Sequence, residues 1–203
     1  MGTDGNGGEL ILQAIHGSNS EKLPERIVAL MEEKGTYNAS VFSQAPPYDY
    51  LYCGSSSLYG DLNPQRMREW MAYHAKFFGP RSHFVLHDAG GVHPQVRKVL
   101  EPWIRAGRVT LQDITEQEKF DGYYHNQFLV VNDCLHRYKF MANWIFFFDV
   151  DEYLYIPGRK TLQYVLKDLS GYTQFTIQQY SMSNKLCLQN KLHSDSANST
   201  YSR

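Results

Sequence analysis

Five consecutive apolar residues, Trp144-Ile145-Phe146-Phe147-Phe148, run without a break into the acidic segment Asp149-Val150-Asp151-Glu152. A strand with one wet face alternates apolar and polar side chains. A run that is apolar at every position instead fits a strand covered on both faces, as in a parallel sheet between layers of helices. The run therefore predicts the central strand of an α/β sheet, with its acids at the carboxyl end.

The chain before it repeats one kind of unit. Tyr50-Leu51-Tyr52-Cys53 reads as a strand feeding the small-residue loop Gly54-Ser55-Ser56-Ser57. Asn63 as N-cap and Pro64 at the first helical position then open a helix with Met67, Trp70, Met71, His74, Phe77 and Phe78 on one face, which Gly79-Pro80 stops. His83 to His87 is a second strand, Asp88-Ala89-Gly90-Gly91 its loop, and Pro94 to Ala106 a helix carrying Val96, Val99, Leu100, Trp103 and Ile104. Arg108 to Gln112 gives a third strand and Asp121 to Met141 a longer helix. Beyond the acids, Thr161 to Leu169 is a short helix and Tyr172 to Tyr180 alternates as a strand does. The fold expected is an open, mostly parallel α/β sheet flanked by helices, Rossmann-like in layout.

The first 45 residues follow a different pattern. Residues 1–8 have no apolar period, Leu10-Ile11-Leu12 is a short apolar run, and Leu23 to Glu33 has helical spacing. Ala45-Pro46-Pro47 punctuates the chain, so a boundary is placed there, with residues 1–45 on one side and 46–203 on the other. A chain of 203 residues has room for one sizeable domain and part of another.

Lys and Arg total 20 against 21 Asp and Glu, so the chain lacks the basic field that a nucleic acid or an anionic membrane surface attracts. No nucleic-acid partner is expected. No stretch reaches the length of a membrane span and the N-terminus lacks signal-peptide order, so the chain as written reads as soluble. Cys53, Cys134 and Cys187 show no CxxC spacing and no histidines at zinc-like intervals, which leaves at most one internal disulfide. Two glycosylation triplets occur, Asn38-Ala39-Ser40 and Asn198-Ser199-Thr200. The aromatic content, 15 Tyr, 11 Phe and 3 Trp, suits core packing and also stacking against sugar rings.

In open α/β sheets, ligands sit beyond the carboxyl ends of the strands, which makes Asp149-Val150-Asp151-Glu152 the leading candidate site. If the strand persists through it, Asp149 and Asp151 share a face. Two carboxylates that close repel each other unless a cation lies between them. Oxygen-only ligands select hard ions such as magnesium or manganese, which keep positions open for phosphate oxygens. Two alternatives stand beside this reading. One is a solvated polar strand exit. The other is a phosphoryl-transfer enzyme of the haloacid-dehalogenase type, although those place the motif on the first strand and here three strands precede it.

Several long phrases carry a resemblance. They are Tyr50-Leu51-Tyr52-Cys53-Gly54-Ser55-Ser56, Arg66 to His74, Phe78 to His83, His87-Asp88-Ala89-Gly90-Gly91-Val92, Asp121-Gly122-Tyr123-Tyr124, Asn126 to Cys134 and Phe148-Asp149-Val150-Asp151-Glu152-Tyr153. Together they resemble glycosyltransferase family 92, and within it the plant pectic β-1,4-galactan synthases, over about Tyr48 to Cys187. The resemblance implies a GT-A-like fold and inverting transfer of galactose from UDP-galactose onto a β-1,4-galactan side chain of pectin, with manganese as cofactor. It also implies a Golgi location as a type II membrane protein, although the anchor is absent here. On this basis residues 1–45 read as a flexible lead and the tail of a β-rich, carbohydrate-binding-like module. Residues 46–203 read as a C-terminally incomplete catalytic domain, without the later His and catalytic base of the family.

The roles that follow are specific. Asp151 is expected to ligate the metal, and Asp149 to support it or bind ribose. Cys53, Gly54, Ser55 and Ser56 are expected to meet uridine and phosphate through backbone amides, or else to form an ordinary polar turn. Asp88 either accepts from the nucleoside or closes an Asx turn. Glu152 either lies behind the metal ligands or is a solvated strand end. His74 reads as a packed core histidine, and His83, His87 and His93 do not form a zinc site. His125 and Asn126 either approach the donor sugar or cap the long helix. The catalytic base is unassigned, and the oligomeric state, a homodimer included, is open. A noncatalytic sugar-nucleotide- or glycan-binding fragment, or a degenerate paralogue, is the competing function.

Overall fold

The computed structural model describes residues 7–15, 23–36, 39–120, 126–158 and 160–182. The chain divides into two compact units, Met1–Tyr155 and Ile156–Arg203. Cys187, Asn38 of the first glycosylation triplet, the whole of the second triplet, and Asp121 to His125 lie outside the described residues.

The first unit opens with an antiparallel hairpin of β1 (Gly8–Ala14) and β2 (Glu25–Glu32), with a bulge between Leu10 and Ile11. The helix expected over Leu23 to Glu33 is therefore a strand. Leu30 pairs with Leu10, Val28 with Ile11 and Ile27 with Leu12. These cross-strand apolar pairs, with β-branched Ile27 and Val28 among them, outweigh a weak local helical spacing.

Next come β3 (Tyr48–Gly54), α1 (Pro64–Phe78), β4 (Ser82–Asp88), α2 (Pro94–Arg105), β5 (Val109–Asp113), α3 (Gln127–Tyr138) and β6 (Ala142–Phe148). The strands form a wholly parallel sheet in the order β5-β4-β3-β6. The expectation that Trp144 to Phe148 is the central strand is corrected by this order. In the described sheet β6 and β5 are the two outer strands, while β3 and β4 lie inside. Continuous apolarity says nothing about how many neighbours a strand has, and it overstates the cover, since Phe146 and Phe148 are buried while Phe147 on the opposite face is 37% exposed. Phe146 and Phe148 meet the rings of Phe78 and Trp70 on α1, while Ile145 packs against Leu51, Cys53 and Cys134 on the α3 side.

Local signals set the helix ends. The Asn63 side chain accepts from the amides of Gln65 at 2.9 Å and Arg66 at 3.1 Å, satisfying two otherwise unpaired donors at the start of α1. The chain leaves α1 through Gly79 at a φ of 82°, a conformation that glycine adopts without strain. The long helix expected over Asp121 to Met141 is shorter. It starts at Gln127, after Asn126 in a left-handed conformation, and ends in the turn at Lys139 and Phe140. Cys53 and Cys134 are joined in a disulfide that ties β3 to α3.

The second unit contains α4 (Leu162–Asp168), capped by the Thr161 hydroxyl, which accepts from the Tyr164 amide. Tyr172 to Tyr180, expected as a strand, has no regular structure. Its alternation has no partner strand among the described residues, and a strand without a ladder is not stable alone. No helix among the described residues is long and apolar enough to cross a membrane.

Candidate active site at the strand ends

Strand β6 stops at Phe148, so the acids do not continue on its pleat. They form a turn in which the Glu152 amide donates to the Asp149 carbonyl at 3.1 Å and the Asp149 amide donates to Glu152 Oε2 at 2.8 Å. Asp149 and Asp151 consequently do not share a strand face, as had been expected. Asp149 is half-buried and Asp151 is exposed.

Residue Asp149 is held from across the sheet. Its Oδ1 accepts from the hydroxyls of Ser55 and Ser56, the latter at 2.9 Å, and the Ser55 amide donates to the Phe148 carbonyl at 3.3 Å. Gly54 lies opposite Phe148 in the parallel register, which sets the loop after β3 beside the acidic turn. Cys53 lies below this loop. It sits inside the ladder, opposite Val85 and Phe147, with its side chain bound to Cys134, so Gly54, Ser55 and Ser56 alone of the four reach the crevice.

At the end of β4 the Asp88 carboxylate turns back on its own loop. Its Oδ1 accepts from the amides of Gly90 at 2.9 Å and Val92 at 3.1 Å, which is an Asx turn. This loop packs tightly on residues 58–59, with the Ala89 and Gly91 amides donating to the Leu58 carbonyl. A Cβ at Gly91 would lie 2.7 Å from the Tyr59 nitrogen, so only glycine fits there. The three histidines are dispersed. His83 bonds the Gly107 carbonyl and Thr110, and His93 bonds the Leu62 carbonyl. No three His, Cys, Asp or Glu side chains converge among the described residues.

Sequence reasoning missed the groups that hold the acidic turn. The buried Tyr52 hydroxyl donates to the Phe148 carbonyl at 2.7 Å. Burial first, and then the charges of Asp149, Glu152 and Asp151, push its pKa well up, so it stays a neutral donor. From α1, Trp70 Nε1 donates to the Glu152 carbonyl at 2.9 Å and the Tyr73 hydroxyl to the Leu154 carbonyl at 2.5 Å. Burial lowers the His74 pKa to about 4, so the ring is neutral. Its Nδ1–H donates to the Trp70 carbonyl and its Nε2 accepts from the Leu154 amide at 3.4 Å. The one available signal was that this helix face carries rings with polar tips, where a plain aliphatic stripe would have packed as well.

A cavity of about 690 Å³ lies by the ends of β4 and β5, lined in part by His87, Gln112, Ile114, Glu118, Leu129 and Asp133. Its wall meets the serine loop where the Ser57 hydroxyl donates, at 3.4 Å, to Glu118. His87 is 2 % exposed, burial keeps its pKa low, and Gln112 lies beside it without bringing a partner into hydrogen-bond geometry at either ring nitrogen.

The acidic turn thus carries three carboxylates, with Asp149 braced by the two serines, Glu152 folded back on the Asp149 amide and Asp151 exposed. Together with the parallel sheet, this arrangement defines an α/β protein whose crevice lies at the carboxyl ends of its strands. The family described as Glycosyltransferase family 92 matches residues 48–200, and the chain belongs to it. The chain is 62% identical over 186 residues to galactan beta-1,4-galactosyltransferase GALS1 of Arabidopsis thaliana, covering 92% of this chain and 37% of that protein. It is 56% identical to GALS3 and also to GALS2, both described as galactan beta-1,4-galactosyltransferases of the same plant, each over 185 residues and 36% of the relative. The chain thus spans little more than a third of the length of these relatives.

Proposed function

We propose that this chain is the donor-binding part of a metal-dependent, GT-A-like galactosyltransferase that moves galactose from UDP-galactose onto a β-1,4-galactan chain with inversion. The observation that carries the reading is the pairing of Asp149, fixed by Ser55 and Ser56, with an exposed Asp151 two residues on. The names of the relatives supply the galactosyl group and the galactan acceptor.

In this reading Asp151, with Asp149 behind it, holds manganese. When bound, the ion neutralises the charge that develops on the diphosphate leaving group. Ser55 and Ser56 fix the Asp149 carboxylate, and the Gly54 to Ser56 backbone faces the phosphates. The cavity beside His87 has the size and the mixed apolar and polar lining to take the nucleoside end. In this reading the donor-binding part lies within residues 46–203, which run through both compact units, and residues 1–45, with the β1–β2 hairpin, belong to a β-rich module. The Cys53–Cys134 disulfide fits an oxidising secretory compartment such as the Golgi lumen.

Calorimetric titration of UDP with manganese and then with a chelator tests the reading. The expected result is binding at least about tenfold tighter with the metal. Equal affinity in both conditions would remove the metal role of Asp149 and Asp151.

A further inference from the structure

The turn that carries Asp151 is held by four side chains distant in the sequence. Tyr52 takes the carbonyl before it, Trp70 the carbonyl of Glu152, and Tyr73 and His74 the carbonyl and amide of Leu154. Three of these four side chains lie on two successive turns of α1, and the helix is itself fixed by a capped start and a fully buried Trp70. These side chains add non-local partners to backbone groups of Phe148, Glu152 and Leu154 where the chain leaves the sheet. Filling a core needs only the rings, whereas the polar tips meet the backbone on both sides of the exposed carboxylate.

We propose that Trp70 and Tyr73 of α1 are positioning residues for the acidic turn, fixing the backbone from Glu152 to Leu154 so that Asp151 meets a metal and diphosphate already ordered. The proposal rests on the donor reading above. A carboxylate on a loose turn must lose backbone and side-chain freedom when it takes a ligand, while one on a fixed turn loses less, and the difference appears as affinity. Neither ring touches the metal or the sugar nucleotide in this account. Both act through the turn.

Tyr73→Phe is the discriminating variant, because it removes one hydroxyl and keeps a ring that packs against Phe77 and Tyr153. Trp70→Phe is the second variant, although loss of a core indole endangers the fold. Two measurements on the full chain decide the matter. Amide hydrogen exchange without ligand should quicken at residues 152 to 154 in Tyr73→Phe, with β3 and β4 unchanged. The manganese concentration at half-maximal UDP binding should rise about fivefold, the effect of losing one neutral hydrogen bond. Unchanged exchange overturns the claim that Tyr73 holds the turn, whatever UDP does. Faster exchange with an unchanged manganese midpoint shows a purely structural tether and overturns the positioning role. If UDP binding by the parent chain ignores manganese, the donor reading fails, and the positioning role fails with it.

Discussion

Asp88 and Asp149 stand at the carboxyl ends of two parallel strands, each followed by a turn, yet they are bound in opposite ways. The Asp88 carboxylate accepts from amides two and four residues ahead and closes its own loop. Asp149 accepts from serines 94 and 93 residues earlier in the chain, and its turn is tied to α1 and β3. A local partner set makes a turn, whereas a non-local one fixes a place in space. An acid after a strand is therefore informative only when its partners are known.

The sharpest test of the difference is Asp151→Ala. Removing an exposed ligand should weaken manganese-dependent UDP binding about 100-fold while leaving the unfolding midpoint within about 1 °C of the parent. A collapsed midpoint, or unchanged affinity, would return the acidic end to the same status as Asp88. Next in size is the double change Cys53→Ala with Cys134→Ala. It should lower stability by about 2–4 kcal/mol in denaturant unfolding, because the unfolded chain is no longer held in a loop between residues 81 apart. Unaltered stability would mean that the strand end is fixed without the disulfide.

A pH series sharpens the comparison further. Burial lowers the folded-state pKa of His74 to about 4 from its ordinary value of 6.5, so the unfolded chain binds more protons between those values. The stabilisation is complete above about pH 6.5 and is lost as pH falls toward 4, with a ceiling on the order of 3 kcal/mol. His83 and His87, also shifted down by burial, add in the same direction. Thermal midpoints from pH 7 to 5 should fall, and should fall less in His74→Gln; equal slopes would remove His74 as the source. The smallest effect belongs to Asp88. Asp88→Ala should lose about 1 kcal/mol of stability with UDP affinity within about twofold of the parent, and Asp88→Asn, which keeps the acceptor, should lose less. If Asp88→Asn alone abolished UDP binding, the Asx turn would not be its main role.

Much of the sheet was legible because parallel βα units write their rules locally. Asn63-Pro64 and Gly79 bound α1 closely, and His83 to His87 and Trp144 to Phe148 fall within their strands. The errors fall where a distant partner decides. Ile27 and Val28 became a strand through β1, the alternation of Tyr172 to Tyr180 found no ladder, and β6 proved to be an outer strand because an apolar run does not report a strand's neighbours. At the site, the acidic motif and the serine loop were visible as separate phrases. Their contact, through Ser55, Ser56 and Asp149, depends on strand register. The grip of Trp70 and Tyr73 on the turn could not be read from a stripe that looked like ordinary core.

The bond between Cys53 and Cys134 spans 81 residues, and α1, β4, α2 and β5 all lie between its ends. Topologically this part of the molecule is a ring with two tails. The serine loop lies just inside the ring and the acidic turn just outside it, on the tail that leaves Cys134. A single protease cut anywhere between Gly54 and Asp133 would leave one particle of unchanged mass apart from one added water, and only a reductant would release two pieces.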